Sequence, residues 1–215
     1  MKKLLFTLLA AFMCISASAQ EKNTWKNTKS FLGSCKYEII AGYCTTVASA
    51  PFDNAVIGFN LGVTGRKDIK TFKNDKFAIN GIVGLTLTRR GGKTSTDLMD
   101  IEAINWKSTA LSLPIHAGAE YRLKKVSIFA DLGPNLIFGF GGDIDNIKTN
   151  ACGVGAGFNL GVRFKKFGIS FGVDEDFTNF GTFTPDKDQK DHLDLDKDKY
   201  GLKTGEFHFD LRWTI

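Results

Sequence analysis

Along most of this chain, residues two apart resemble one another and immediate neighbours do not. In the run 108–123, Leu111, Leu113, Ile115, Ala117, Ala119, Tyr121 and Leu123 alternate with Ser112, Pro114, His116, Gly118, Glu120 and Arg122. A period of two is the strand period, because successive side chains leave a strand on opposite faces. From 37 to 215 the strand-like runs are expected to keep their large apolar residues on odd positions. Gly, Ser, Asn and a few charges then take the even ones.

Eight such runs are predicted as strands: 36–47, 55–71, 76–88, 107–123, 126–140, 152–164, 167–175 and 205–215. Their connections alternate in character. The second, fourth and sixth are tight and basic, at Lys73-Asn74-Asp75, Lys124-Lys125 and Lys165-Lys166. The others, 48–54, 89–105, 141–150 and 176–204, are longer and polar. Short periplasmic turns alternating with long external loops are the pattern of outer-membrane barrels, and an even strand count returns both ends to the periplasmic side. The fold class expected is all-β: an eight-stranded, antiparallel, up-and-down transmembrane β-barrel with a side-chain-filled lumen.

A soluble sandwich or a lipocalin-like barrel also alternates, with its apolar face turned inward. Three features favour lipid on the apolar face. The opposite face is rich in glycine, including Gly58, Gly62, Gly118, Gly133 and Gly157, and reads as a crowded lumen instead of a solvated surface. Aromatics gather at strand ends, as girdles do at both interfaces of a membrane barrel. Tyr37, Phe77, Tyr121, Phe164, Phe167 and Trp213 would ring the periplasmic boundary, and Tyr43, Phe138, Phe140 and Phe207 the outer one. The third feature is the asymmetry of loop length, which a soluble sandwich does not require.

The ends and the composition agree with this address. Residues 1–19 read as a signal peptide, with Lys2 and Lys3 basic, an apolar run over 4–13 and Ala17-Ser18-Ala19 before the cleavage point. Met13 before Cys14 argues against a lipoprotein, which needs a small residue there. Residues 20–34 have no clear period and read as a periplasmic lead-in to a barrel domain over 35–215. No stretch is apolar for the roughly 20 residues a membrane helix needs. Cleavage removes two lysines and no acid, lowering the formal charge from +5 to +3, too little to argue for nucleic acid. The three cysteines left, Cys35, Cys44 and Cys152, do not make a disulfide framework.

Charges of lumen parity form the first candidate site. Glu38, Glu120, Arg122, Arg163, Asp210 and Arg212 fall near periplasmic strand ends, with Asp131, Asp174, His116 and His208 elsewhere on that face. An eight-stranded barrel is filled by its side chains, and buried charges must be paired. An internal ion-pair plug is therefore expected ahead of a conducting pore, with Glu38 and Arg212 paired across the seam of the first and last strands. Ser112, His116 and Glu120 share a face at a spacing of four. That spacing spans about 13 Å, far beyond a catalytic hydrogen bond, so no catalytic residues are assigned. Asp186, Asp188, Asp191, Asp194, Asp196 and Asp198 crowd the last loop. The start of a calcium loop at Asp194 fails because Lys199 stands where glycine is required. A solvated, mobile surface loop is expected, with no metal and no cofactor. Arg89-Arg90-Gly91-Gly92-Lys93 is not a phosphate loop; at the outer rim it would meet lipopolysaccharide phosphates.

Short motifs carry a family resemblance. Leu111-Ser112-Leu113-Pro114-Ile115 followed by Ala119-Glu120-Tyr121-Arg122-Leu123 resembles a strand of the PorT-like outer-membrane β-barrel family of Bacteroidetes-type bacteria. The next run, Ile128 to Leu136 with its Gly133-Pro134 step, and Gly84-Leu85-Thr86-Leu87-Thr88 leading into Gly91-Gly92-Lys93, are similar to the flanking strands. The chain departs from many outer-membrane barrels by ending in Thr214-Ile215 instead of Phe, with Trp213 as the terminal aromatic. The resemblance implies a small barrel in the outer membrane and little chemistry. A structural or surface-interaction role through the external loops is expected, with an accessory part in a secretion or transport system as the alternative and a lipid-modifying enzyme third. The partners expected are outer-membrane lipid and an unidentified protein.

Overall fold

The computed structural model of the chain describes residues 35–52, 54–72, 75–94, 104–142, 146–192 and 195–215. The signal and lead-in read at 1–19 and 20–34 lie outside these residues. Four strands come first: β1 (Lys36–Ala48), β2 (Val56–Phe72), β3 (Phe77–Lys93) and β4 (Asn105–Arg122). β5 (Val126–Phe140), β6 (Ile147–Thr149), β7 (Gly153–Phe164) and β8 (Phe167–Asp176) follow. β9 (Gly181–Phe183), the short helix α1 (Lys187–His192), β10 (Tyr200–Leu202) and β11 (Thr204–Thr214) complete the chain. Eight strands close into one antiparallel barrel in the order β1-β2-β3-β4-β5-β7-β8-β11, with β11 returning to β1. The three short strands form a separate sheet, β10-β9-β6.

The alternation sorts side chains as a barrel requires, but the odd-position rule breaks in β5 and β7. There the even residues, such as Leu132, Phe158 and Leu160, face outward and Asp131, Asn159 and Arg163 face inward. Opposed residues of an antiparallel pair share a face. The register sets odd Tyr121 against even Ile128, then even Phe164 against odd Phe167, so the parity inverts entering β5 and reverts entering β8. Hairpin length decides this, not residue numbering. Phe138, Phe140 and Phe164 therefore stand on the outer face as even residues, beside odd Tyr37, Phe77, Tyr121 and Trp213.

Pro114 and Pro134 mark a second irregularity. Neither has an N–H to give the ladder, and the β4–β5 pairing is interrupted, with no shift of register, between Pro114↔Asn135 and Ala117↔Leu132. Gly133 sits in this gap, where a Cβ would run into the carbonyl of Ile115. Glycine there lets the two backbones approach.

The outward face is a belt of exposed apolar side chains. Leu132 is 63% exposed, Phe171 65% and Ile57 74%. Leu113 and Phe158 lie on the same face. A soluble monomer rarely leaves so much apolar surface contiguous. Leu132→Arg is expected to cost about 2–4 kcal/mol of stability in a bilayer, whereas an exposed leucine in water tolerates arginine within about 0.5 kcal/mol. Urea unfolding in phospholipid vesicles reads the difference, and an unchanged midpoint would remove lipid from this face.

The outer end departs most from expectation. The stretches 141–150 and 176–204 are not plain loops: they supply β6, β9, α1 and β10. Their apolar residues meet the barrel mouth in one buried cluster that includes Phe52, Trp106, Ile147, Phe180, Phe183 and Leu202. Phe183 packs edge-on against Phe52 with ring centroids 5.6 Å apart, and Trp106 lies 5.9 Å from Phe180. Three-residue strands are too short to show a period, so the sequence reads them as loop. β3 and β4 also run further out than expected, to Lys93 and from Asn105, carrying Arg90 and Trp106 to the base of this cap.

Candidate functional site

Three tiers of polar side chains fill the lumen. At the inner end the Glu38 carboxylate, 1% exposed, sits among three guanidinium groups. Arg163 donates to it through Nε at 2.6 Å and Nη2 at 3.2 Å. Arg212 lies 3.6 Å away and Arg66 3.9 Å. Glu120 accepts from Arg66, from Arg122 Nη2 at 2.9 Å and from Ser127 at 2.7 Å. Arg122 also reaches Asp68 at 2.7 Å. Phe129 closes the tier as an aromatic wall, its ring centroid 3.5 Å from the Arg163 guanidinium carbon and 5.2 Å from that of Arg212.

The middle tier is built on two histidines. His116 Nδ1 lies 2.7 Å from Asp131 and its Nε2 2.9 Å from the Asn135 side-chain oxygen. Asn159 donates to Asp131 at 2.9 Å, and Asn135 to Asp174 at 3.1 Å. His208 Nδ1 stands 2.8 Å from Asp210. Asp210 thus turns to His208 and not to the Glu38–Arg212 seam. A cavity of about 40 Å³ remains among Thr64, Ser112, His116, Asp131, Asp174 and Asp210, room for a water or two.

The outer tier is one arginine holding the cap by its feet. Arg90, 1% exposed, meets Asp176 at 2.8 Å, Glu206 at 3.0 Å and Asp174 at 3.9 Å. Asp176 is the last residue of β8 and accepts from Thr204, the first of β11, through both its backbone N–H at 3.1 Å and its hydroxyl. One carboxylate therefore ties together the two ends of the segment 177–203. The Arg90 guanidinium also lies 5.7 Å from the Phe180 ring in the cap core. This corrects the rim reading of Arg89-Arg90-Gly91-Gly92-Lys93 at one residue: Arg90 is buried and cannot meet external phosphate, while Arg89 stays exposed.

Arg66, Asp68, Arg90, Asp176 and Glu206 were not among the expected network residues. Parity would have found Arg66 and Glu206, which share the inward face of their strands. Arg90 and Asp176 lay beyond the expected strand ends. Ser112, His116 and Glu120 do not assemble: His116 is engaged with Asp131 and Asn135, and Glu120 with arginines and Ser127.

The acidic segment has local structure of its own. Asp186 caps α1: its carboxylate accepts the Gln189 N–H at 2.8 Å, and the Gln189 side chain returns to the Asp186 N–H at 3.1 Å. This reciprocal box is a helix start. Asp186→Ala is expected to cost the cap about 0.5–2 kcal/mol, read as faster amide exchange in α1 with the strands unchanged. Asp196 accepts from the Tyr200 hydroxyl at 2.9 Å. Lys190 pairs with exposed Asp198 and holds its carboxyl below the usual carboxylate range. Asp188 lies in α1, and Asp191 in the same helix. Asp194 lies outside the described residues. Among the described residues no cluster of His, Cys, Asp and Glu could hold a metal ion. Cys44 is buried, and neither it nor Cys152 forms a disulfide among the described residues.

No family model matches the chain, and no curated protein does. Solved structures do. The outer-membrane enzyme PagL is similar with a TM-score of 0.51 and 10% identity, over 83% of this chain and 99% of PagL. OprG from Pseudomonas aeruginosa gives 0.49 and 11% over 85% and 96% of the two chains. Ail of Yersinia pestis, solved with the heparin analogue sucrose octasulfate, gives 0.39 and 16% over 85% and 99%. At such identities the likeness shows the fold alone. The chain is a closed eight-stranded antiparallel barrel of the small outer-membrane type.

Proposed function

We propose that this protein is a non-conducting barrel of the bacterial outer membrane, with both ends of the barrel domain periplasmic, that works through its folded outer cap by engaging a partner or surface outside the cell. The observation that carries the reading is the cap itself. An irregular loop over a plugged barrel needs no aromatic core. Here β6, β9 and β10 are packed on Trp106, Phe180 and Phe183 and keyed to the mouth by Arg90. Ordering such a segment before any partner arrives lowers the entropy cost of binding. The lumen supports the same reading, since most of its charged groups are buried and engaged with one another across all three tiers. No catalytic step is assigned.

Membership of the PorT-like family is part of the proposal and rests on the motifs of β3, β4 and β5. An accessory role in secretion follows from that resemblance only, and no contact in the barrel favours it.

Protease added to intact cells should cut within 184–203 and leave the strands protected. Cleavage only after the outer membrane is opened would invert the topology and end the surface reading. A deletion strain should keep a normal secretome; loss of secreted proteins would move the assignment to a secretion accessory.

A further inference from the structure

Charge on the outward face of the barrel is unevenly placed. In the outer halves of the strands, the membrane-facing positions are almost all apolar or glycine. The charged ones are Arg89 and Lys93 on β3, Lys107 on β4, and a lone Glu175 on β8. The three cations belong to adjacent strands. Arg89 opposes Thr109, Gly91 opposes Lys107 and Lys93 opposes Asn105, so all three share the face opposite buried Arg90 and Trp106. Lys107 is the diagonal cross-strand neighbour of both Arg89 and Lys93, about 7 Å from each, while Arg89 and Lys93, four apart on one strand, stand about 13 Å apart. Arg89, Lys93 and Lys107 have no carboxylate partner among the described residues.

Their depth is set by the register. Arg89 opposes Thr109, which opposes Phe140 of the outer aromatic girdle. Arg89 therefore sits in the girdle row, with Lys107 and Lys93 further out. That is the level at which lipid headgroups begin. One strand away, on β2, an apolar groove opens beside this patch. Gly58 lies against the Arg89 carbonyl, and its neighbour Ile57 begins the groove. The groove crosses β1, β11, β8 and β7, is about 690 Å³ in volume and is walled by Tyr43, Phe158, Phe171, Phe207 and Phe209.

We infer that Arg89, Lys93 and Lys107 bind the phosphate of an outer-leaflet lipid whose acyl chain lies in the neighbouring groove. The inference rests on the membrane-spanning reading above and adds a ligand class and a place. The headgroup is anionic, because three cations gather at interfacial depth with no carboxylate partner among the described residues. It must belong to a lipid, because the site faces the membrane and continues into apolar surface. Guanidinium and ammonium groups together suit a phosphate monoester, Arg89 by paired donors and the lysines as point charges.

The test uses the full chain in neutral detergent, with lipid retention read by native mass spectrometry. Phosphatidic acid, phosphatidylcholine of the same chains, and inorganic phosphate are the three probes. Wild type should retain phosphatidic acid above phosphatidylcholine and should not retain inorganic phosphate. Each basic group near an anionic lipid is worth about fivefold, so Arg89→Gln with Lys107→Gln should lower phosphatidic acid retention about 30-fold and leave phosphatidylcholine unchanged. Lys125→Gln, in the inner turn between β4 and β5, should change neither. Phe207→Ala in the groove should weaken both lipids together. Equal retention of the two lipids by wild type, or undiminished phosphatidic acid on the double variant, would overturn the site. Heat-modifiable gel mobility confirms that each variant is folded. Failure of wild type to insert into vesicles at all would instead strike the membrane reading.

Discussion

Glu38→Gln is expected to cost about 3–5 kcal/mol, the usual consequence of removing one partner from a buried charge pair. The residue is near-isosteric, so packing is kept and only the charge goes. Arg163 would then lose its partner at 2.6 Å and Arg212 its nearby counter-charge, leaving Glu120 to balance Arg66 and Arg163 together. Because β1, β2, β7 and β11 each contribute one of these groups, the loss falls on barrel closure itself. Adding Arg163→Met should recover part of the loss, since the surplus charge is removed with it. Urea unfolding in phospholipid vesicles measures both variants. A shift below about 1 kcal/mol, the scale of a solvated surface pair, would show that water reaches this end of the lumen.

Phe183→Ala is expected to cost about 3–5 kcal/mol, but locally. Phe183 is fully buried at the centre of the cap cluster, in contact with Phe52 and Tyr200. The barrel strands do not depend on it. Cap amides in β6, β9 and β10 should therefore exchange at least a hundredfold faster, because local opening is governed by local free energy. External protease should cut 184–203 correspondingly faster. Gel mobility of the folded barrel should stay as in wild type. If exchange accelerates equally in all strands, the cap and barrel form one cooperative unit and the cap is not an independent element.

Much of the barrel is legible in the residues because period two survives any context. Runs as long as Leu111 to Leu123 announce a strand with two unlike faces, and turn pairs such as Lys165-Lys166 locate the hairpins. The network at the inner end is partly legible for the same reason. Glu38, Arg163 and Arg212 have inward positions near the same end of their strands. The Glu38–Arg212 pair across the seam is legible and stands at 3.6 Å, but that Arg163 comes nearer is not. Arg163 comes nearest to Glu38 from β7, across the lumen, while Arg212, on the strand paired with β1, stands further off. The alternation says which face a charge takes; the diameter and coiling of the closed barrel say what it meets.

The outer cap lies past the reach of periodicity. Ile147, Phe183 and Leu202 come from segments of three residues each, separated by polar stretches, and no local pattern joins them. Their burial exists only once β5, β8 and β11 have brought the segments to one mouth. Arg89 and Arg90 make the same point in two adjacent residues. As a pair they read as a rim segment. The extension of β3 to Lys93 turns Arg90 into the lumen as the anchor of the cap and leaves Arg89 facing outward. By itself the sequence determined strand class, the eight strands of the barrel and the chemistry of each face, because those follow from alternation and turn residues. Tertiary structure alone decided register, the parity inversion in β5 and β7, the ion-pair partners and the existence of the cap, because each depends on contacts between residues far apart in the chain.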